Sequence, residues 1–410
     1  MEGPNQKMPL MVYNSLSRQK EPFTASPGGE VRLFVCGPTV YAHLHLGHAR
    51  TFLAFDIIVR YLKFSGYHVR YVMNITDVAE RLVERAEELK RDPVELARQY
   101  EAAFLKDMQS LNITNVDRYE RASDYIPQMV AQVAGLVTKG VAYETETGVY
   151  FEVEKFPKFG ELSGQSHDEL GLRRLELCSS KRKPEDFSLW RKYEKGLGWD
   201  SPWGYGRPGW HIEDTAIAMA CFGETYDMHG GASELIFPHH EAEIAQAEAL
   251  TGKSPFVRYW LHTGLLSVEG RKMSKSLGNV VSIHDAIKEY GVPTLRFYSA
   301  SFHYRQPMVL SASGLRKATG ELAAINKALQ AFMTAKPTSS PKHERTLKVI
   351  LERSESAFKR NMDNDFDTPK ALGVLKALAR NLSSLRVNQE GRLTAEAAFD
   401  RMANVFGILG

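Results

Sequence analysis

The stretch VRLFVCGPTVYAHLHLGHAR, residues 31–50, restricts the possible folds more than any other part of the chain. Val31, Leu33 and Val35 alternate with their neighbours, which predicts a short strand. The strand runs into Cys36, a Gly37-Pro38 break, and the cluster His45-Leu46-Gly47-His48. From Thr51 the residues Phe52, Phe55, Ile58, Val59 and Leu62 fall at helical spacing, and Ser65-Gly66 supplies a stop. A second strand is predicted over 68–75. Strand, turn, helix, strand is a βαβ unit, whose right-handed crossover sets ligands at the carboxyl ends of the strands. Cys36, His45 and His48 fall at that end, where a helix N-terminus offers N–H groups to an anion. The expected fold class is α/β, built on a parallel sheet.

With 410 residues and 43% hydrophobic content, the chain can form two to three domains with sizeable cores. No apolar run approaches the length of a membrane span, and MEGPNQKMPLMVYN lacks the form of a signal peptide. Cys36, Cys178 and Cys221 are odd in number and far apart, which fits a reducing, cytoplasmic setting better than a disulfide framework. The net charge of +3 is unevenly spread: Ser313 to Gly410 carries sixteen Lys and Arg against ten Asp and Glu. Such a tail suits nucleic acid contact or a solvated helical surface equally.

Composition along the chain suggests five segments. Residues 1–120 form the first half of the sheet domain, with a helix starting at Asp92-Pro93. Residues 121–205 read as an insertion. There Ala142-Tyr143-Glu144 and Val149 to Val153 alternate as strands around Thr147-Gly148, and basic residues such as Arg173, Arg174 and Lys181 follow. Residues 206–262 return to the sheet domain, and 263–312, which carry the Lys272–Ser276 run, lie between it and the helical tail. Residues 313–410 are a helical bundle: Leu315, Ala318, Leu322, Ile325, Leu329 and Phe332 recur every three or four positions. Thr368-Pro369 and Thr394 are the expected caps of its last two helices, with Leu372, Leu375, Leu378, Leu382 and Leu385 facing inward from the first of these.

Two constellations carry chemistry. In FPHHEAE, Pro238 suits the first turn of a helix that stops at Gly252, placing His239 and Glu243 one turn apart on one face; His240 pairs only with Ile244 at that spacing. Cys36, Asp214, His239 and Glu243 are candidate metal ligands, although no CxxC or HExxH spacing announces them and a lone cysteine at a strand end is often simply buried. The second constellation is Lys272-Met273-Ser274-Lys275-Ser276, bracketed by Gly270 and Gly278, either a solvated basic loop or a phosphate-binding one.

Taken together, FVCGPTVYAHLHLGHARTF and the KMSKS pentapeptide, over two hundred residues apart, resemble the two signatures of the class I aminoacyl-tRNA synthetases, specifically the cysteinyl enzymes. VYFEVEKFPKFGELSGQSHDEL and KRKPEDFSLWRK resemble that family's connective-peptide region, and MDNDFDTPKAL its helical bundle. The resemblance implies a Rossmann-like parallel sheet split by the insertion, then the KMSKS-bearing linker, then the all-α bundle. It implies zinc held by Cys36, Asp214, His239 and Glu243, where the family commonly has Cys at the Asp214 position. It places Gly37, Thr76 and Trp210 in the amino-acid pocket, with Glu234 near the substrate amine. His45, Gly47, His48, Lys272 and Lys275 would bind ATP, supplied with Mg²⁺, and His45, His48, Lys272 and Lys275 would be catalytic. The partners implied are cysteine, ATP and tRNA(Cys), with no membrane. Ala42 and Ala79-Glu80 depart from the family pattern, and the chain stops at Gly410 where the family continues into an anticodon-binding domain. Two rival readings are a paralogue like the mycothiol ligase, joining activated cysteine to an amino-sugar, and a non-catalytic tRNA-binding paralogue.

Overall fold

The computed structural model describes residues 9–26, 28–165, 180–273, 278–338 and 340–409. Cys178, Arg173, Arg174 and Lys275 lie outside the described residues. Five parallel strands form the main sheet, in the spatial order Val257–Thr263, Tyr226–Ala232, Glu30–Val35, His68–Ile75 and Arg118–Arg121. The central strand is Glu30–Val35, as its alternation predicts, and His68–Ile75 pairs with it in register from Glu30↔His68 to Val35↔Met73. After Arg121 the chain leaves the sheet and returns on the other side of the central strand, at Tyr226. The crevice between Glu30–Val35 and Tyr226–Ala232 is therefore the topological switch point, where open α/β sheets bind ligands.

The helix following the central strand spans Leu46–Phe64. It begins five residues before the periodicity that starts at Thr51, because His45 is its N-cap and the His-x-Gly-His cluster forms its first turn. Residues on every face are buried, including Phe52, Phe55, Ile58 and Leu62, each contributing roughly 1.5–3 kcal/mol of hydrophobic stabilisation. Burial on all sides also encloses charge. Asp56 bonds to Arg60 at 2.7 Å, to Asn115 at 2.8 Å, and to the fully buried Arg296. Arg296 in turn donates to the carbonyls of Leu111 at 2.9 Å and Phe406 at 2.7 Å, tying the sheet domain to the end of the chain. A buried carboxylate and guanidinium satisfied this fully hold three segments in one geometry.

The insertion carries a four-stranded antiparallel sheet, Ala142–Glu144, Gly148–Phe151, Phe187–Lys192 and Gly206–Pro208, which runs beyond the boundary expected at 205. The linker module pairs Leu266–Val268 with Arg271–Lys272 and Met308–Leu310. Arg50, in the His-x-Gly-His helix, donates to the carbonyls of His303 at 2.9 Å and Tyr304 at 3.2 Å, so that module is fastened to the sheet domain just beside the site.

Four helices close the chain: Ala312–Thr334, Pro341–Met362, Thr368–Ser383 and Gln389–Phe406. The third is capped by Asp367, one residue before the expected Thr368. The fourth is capped by Asn388, and Thr394 lies inside it with its hydroxyl bonded to the Glu390 carbonyl. An Asn side chain satisfies the free N–H groups of a helix start better than Thr, and the apolar period gave no means of choosing between them. The bundle docks through Asp365, which accepts from the Tyr13 backbone at 2.9 Å, Tyr304 Oη at 2.7 Å and Arg305 Nε at 2.7 Å.

Candidate active site and metal centre

A single cavity of about 1270 Å³ opens at the switch point. Cys36, Gly37, His45, Gly47, His48, Thr76, Trp210, Asp214, Glu234 and His239 all line it, and Met273 of the KMSKS segment joins them. Glu243 lies behind this wall, fully buried. The backbone of Lys272 pairs with Ser267 in the linker sheet, so the KMSKS segment leaves a strand edge next to the cavity.

The rim is assembled locally. His45 Nδ1 accepts from the Gly47 N–H at 3.1 Å, and His48 Nδ1 accepts from the His45 N–H at 3.3 Å, a reciprocal cap that sets both rings at the helix N-terminus. A Cβ on Gly47 would lie 2.8 Å from the His45 ring, so a side chain there would displace the capping imidazole. The Leu46 N–H donates to the Val281 carbonyl at 3.1 Å, anchoring the chain just after the KMSKS loop against the His-x-Gly-His turn.

The floor is assembled from four distant segments. Cys36 ends the central strand, Asp214 sits in the first turn of the helix Ile212–Phe222, and His229 lies within the neighbouring strand. His239 and His240 belong to an irregular turn over Ile236–His240, and Glu243 to the helix Glu241–Thr251. Phe237 is extended within that turn, so the regular helix begins at Glu241 rather than at Pro238, and His240 also reaches the cluster. Cys36 Sγ lies 3.1 Å from Asp214 Oδ2, 3.1 Å from His240 Nε2 and 3.3 Å from His229 Nε2. His239 Nε2 lies 3.1 Å from both Asp214 Oδ2 and Glu243 Oε1.

Two overlapping donor sets result: Cys36, Asp214, His239 and Glu243, and Cys36, His229, His240 and Glu243. The first is the set expected from the sequence. His229 and His240 were not anticipated. The alternation of YDMHGGA gives His229 no mark beyond strand, and the irregular turn moves His240 off the face that helical spacing assigns it.

The electrostatics of the floor are consistent with a metal site. Burial, reinforced by Asp214 and Glu243, pushes the Cys36 thiol well above its ordinary value. Burial and then Asp214 push Glu243 up. Burial also drives His211, His229 and His240 well down, and His262 down to about 3, leaving neutral imidazoles. Neither oxygen of Glu243 has a hydrogen-bond partner among the described residues, an expensive condition for a buried carboxylate. A thiol, two carboxylates and imidazole, with donor atoms within 4.8 Å of one another, suit a divalent ion that accepts S, N and O ligands.

Outer contacts hold this set in place. Asn74 donates to Asp214 Oδ1 at 2.6 Å and accepts from the Gly37 N–H at 2.6 Å. A Cβ on Gly37 would come within 1.8 Å of the Asn74 carbonyl oxygen, so the pocket wall here has room only for glycine. Thr76 donates to Glu213 at 2.8 Å, and Trp210, 46% exposed, stacks on His239 with ring centres 4.4 Å apart.

A parallel sheet with its switch-point cavity, a His-x-Gly-His helix start on the rim and Met273 of a KMSKS sequence on its wall define the catalytic core of a class I tRNA synthetase. The model for the class I (C) tRNA synthetase catalytic domain matches residues 22–320, and that for the DALR domain matches 357–410. The cysteine–tRNA ligase of Thermococcus onnurineus is 43% identical over 413 residues, covering 98% of this chain and 87% of its own length. That of Pyrococcus furiosus is 43% identical over 97% of this chain and 86% of its own. The chain belongs to the cysteinyl-tRNA synthetase family. In fold it is also similar to Mycobacterium tuberculosis methionyl-tRNA synthetase in complex with methionyl-adenylate, with a TM-score of 0.67, 16% identity, and coverage of 92% of this chain and 88% of that one.

Proposed function

We propose that this chain activates cysteine with ATP to cysteinyl-adenylate and transfers the cysteinyl group to the 3′ end of tRNA(Cys). The observation that carries the reading is the sharing of one cavity by the His-x-Gly-His helix start and a metal-type floor. A substrate reaching both is an amino acid with a thiol at one end and a carboxylate to be activated at the other. The relatives' name favours tRNA over an amino-sugar as acceptor.

In the first step the cysteine carboxylate attacks the α-phosphate and pyrophosphate leaves. His45 and His48, at the helix N-terminus, hydrogen-bond the phosphates, and Gly47 lets the triphosphate approach the backbone. Lys272 and Lys275 neutralise the charge that develops on the leaving pyrophosphate, and Mg²⁺ brought in with ATP would share that charge. Glu234 receives the substrate amine, and Gly37, Thr76 and Trp210 shape the pocket around the side chain. Zinc held by Cys36, Asp214, His239 and Glu243 would supply a Lewis-acid seat for the substrate thiolate, which a serine hydroxyl does not match. Shape alone separates such near-isosteres poorly.

The test is cysteine-dependent ATP–pyrophosphate exchange followed by acylation of tRNA(Cys), with zinc content measured on the same preparation. Exchange, acylation and about one zinc per chain are expected. Exchange without acylation of tRNA would refute the acceptor, and active enzyme free of zinc would refute the metal.

A further inference from the structure

We infer that His229 is a positioning residue for the metal floor: it donates a hydrogen bond from Nε2–H to the Cys36 sulfur, in a tautomer that Tyr226 imposes. The inference rests on the zinc reading above and decides between the two overlapping donor sets.

Tyr226 is completely buried, and its hydroxyl has one partner among the described residues, His229 Nδ1 at 2.6 Å. If Nδ1 carried the proton and donated to Tyr226, the phenolic proton would be buried without an acceptor, at a cost of roughly 1–3 kcal/mol. Glu243 Oε2, 3.6 Å from Nδ1, takes no hydrogen bond and offers no escape. The satisfied arrangement has Tyr226 O–H donating to Nδ1. The single proton of the neutral imidazole then sits on Nε2, the atom 3.3 Å from Cys36 Sγ. The ring cannot turn away: it stacks on Trp260 with centres 4.5 Å apart and lies against Phe34 at 5.2 Å.

An imidazole nitrogen that carries a proton has no lone pair for a metal. The set containing His229 and His240 therefore loses a ligand, and Cys36, Asp214, His239 and Glu243 remain. His240 approaches the same sulfur at 3.1 Å, but its chain of partners, His262 and then Ser15, ends at a half-buried hydroxyl that can run in either direction. Of the two histidines, His229 is the one whose tautomer is dictated. A hydrogen bond to a metal-bound thiolate withdraws charge from the sulfur and fixes its direction, as outer partners of metal ligands do.

The experiment uses the full chain loaded with Co²⁺. His229→Ala should move the thiolate-to-cobalt charge-transfer band to lower energy and weaken Zn²⁺ binding by about 10- to 100-fold, leaving the d–d bands that report donor number in place. Tyr226→Phe, which removes one hydroxyl and keeps the packing, should give a smaller shift in the same direction; it carries the test should His229→Ala not fold. His229→Gln, whose amide N–H can replace Nε2–H, should restore the band. Loss of a nitrogen donor from the cobalt spectrum in His229→Ala would make His229 a ligand and overturn the inference. An unmoved charge-transfer band in both His229→Ala and Tyr226→Phe would overturn it as well. A wild-type chain that takes up neither Co²⁺ nor Zn²⁺ would refute the zinc reading itself.

Discussion

The His45–His48 turn and the Cys36–Asp214–His239–Glu243 cluster share one cavity but are held by different kinds of structure. The turn is capped by its own neighbours, through a reciprocal pair of hydrogen bonds within four residues, and one further bond ties Leu46 to Val281. The cluster is held by separate strand and helix ends, brought together only when the sheet has closed around its switch point. Damage to the rim should therefore stay on the chemistry it performs. Damage to the floor should spread through whatever keeps distant segments in register.

Two substitutions with large effects set out this contrast. Lys275→Ala should lower the rate of adenylate formation by on the order of 10²- to 10³-fold, with little change in cysteine affinity or zinc content. Pre-steady-state adenylate formation checks this, and a change confined to the cysteine Michaelis constant would reassign the residue. Glu243→Gln should do the reverse, weakening zinc affinity by at least about 10²-fold because it removes the negative charge of a buried carboxylate that takes no hydrogen bond among the described residues. Chelator competition measures it. Zinc retained at wild-type affinity in Glu243→Gln would mean that the ion, if present, sits elsewhere.

The same contrast explains what the sequence revealed. The rim was legible in contiguous letters, since a strand, a glycine break and His-x-Gly-His before a helical period are local signals. The floor was not. Cys36 and Asp214 are 178 positions apart, and no spacing rule links them; the resemblance to a family named them together. His229 carries no mark in a strand whose residues are nearly all buried, and His240 was set aside on helical arithmetic that an irregular turn invalidates. The helix caps at Asp367 and Asn388 lie one and six residues before the expected Thr368 and Thr394 for a related reason: apolar periodicity reports the middle of a helix and not its end.

A third substitution tests whether the floor depends on its surroundings. Asn74 is not among the candidate ligands, yet it fixes Asp214 on one side and the Gly37 backbone on the other. Asn74→Ala should weaken zinc affinity by about 10-fold, the lower end of what outer partners contribute. It should also raise the Michaelis constant for cysteine and leave that for ATP unchanged. An equal rise in both would erase the distinction between rim and floor.

The smallest effect sharpens the rim. His45 does two things that one substitution cannot separate: its side chain caps the helix Leu46–Phe64, and its ring faces the cavity. His45→Ala removes both, and loss of the cap should lower stability by about 1 kcal/mol. Asn is among the best N-cap residues and has no imidazole. In His45→Asn the Gly47 N–H keeps a side-chain acceptor, so urea unfolding should stay within a few tenths of a kcal/mol of wild type, while adenylate formation falls as far as in His45→Ala. Should His45→Asn lose stability as His45→Ala does, the reciprocal bond from the His45 backbone to His48 Nδ1 must depend on the imidazole pair, whose rings lie 4.0 Å apart. The rim would then be a coupled unit of two histidines rather than a cap with a catalytic ring attached.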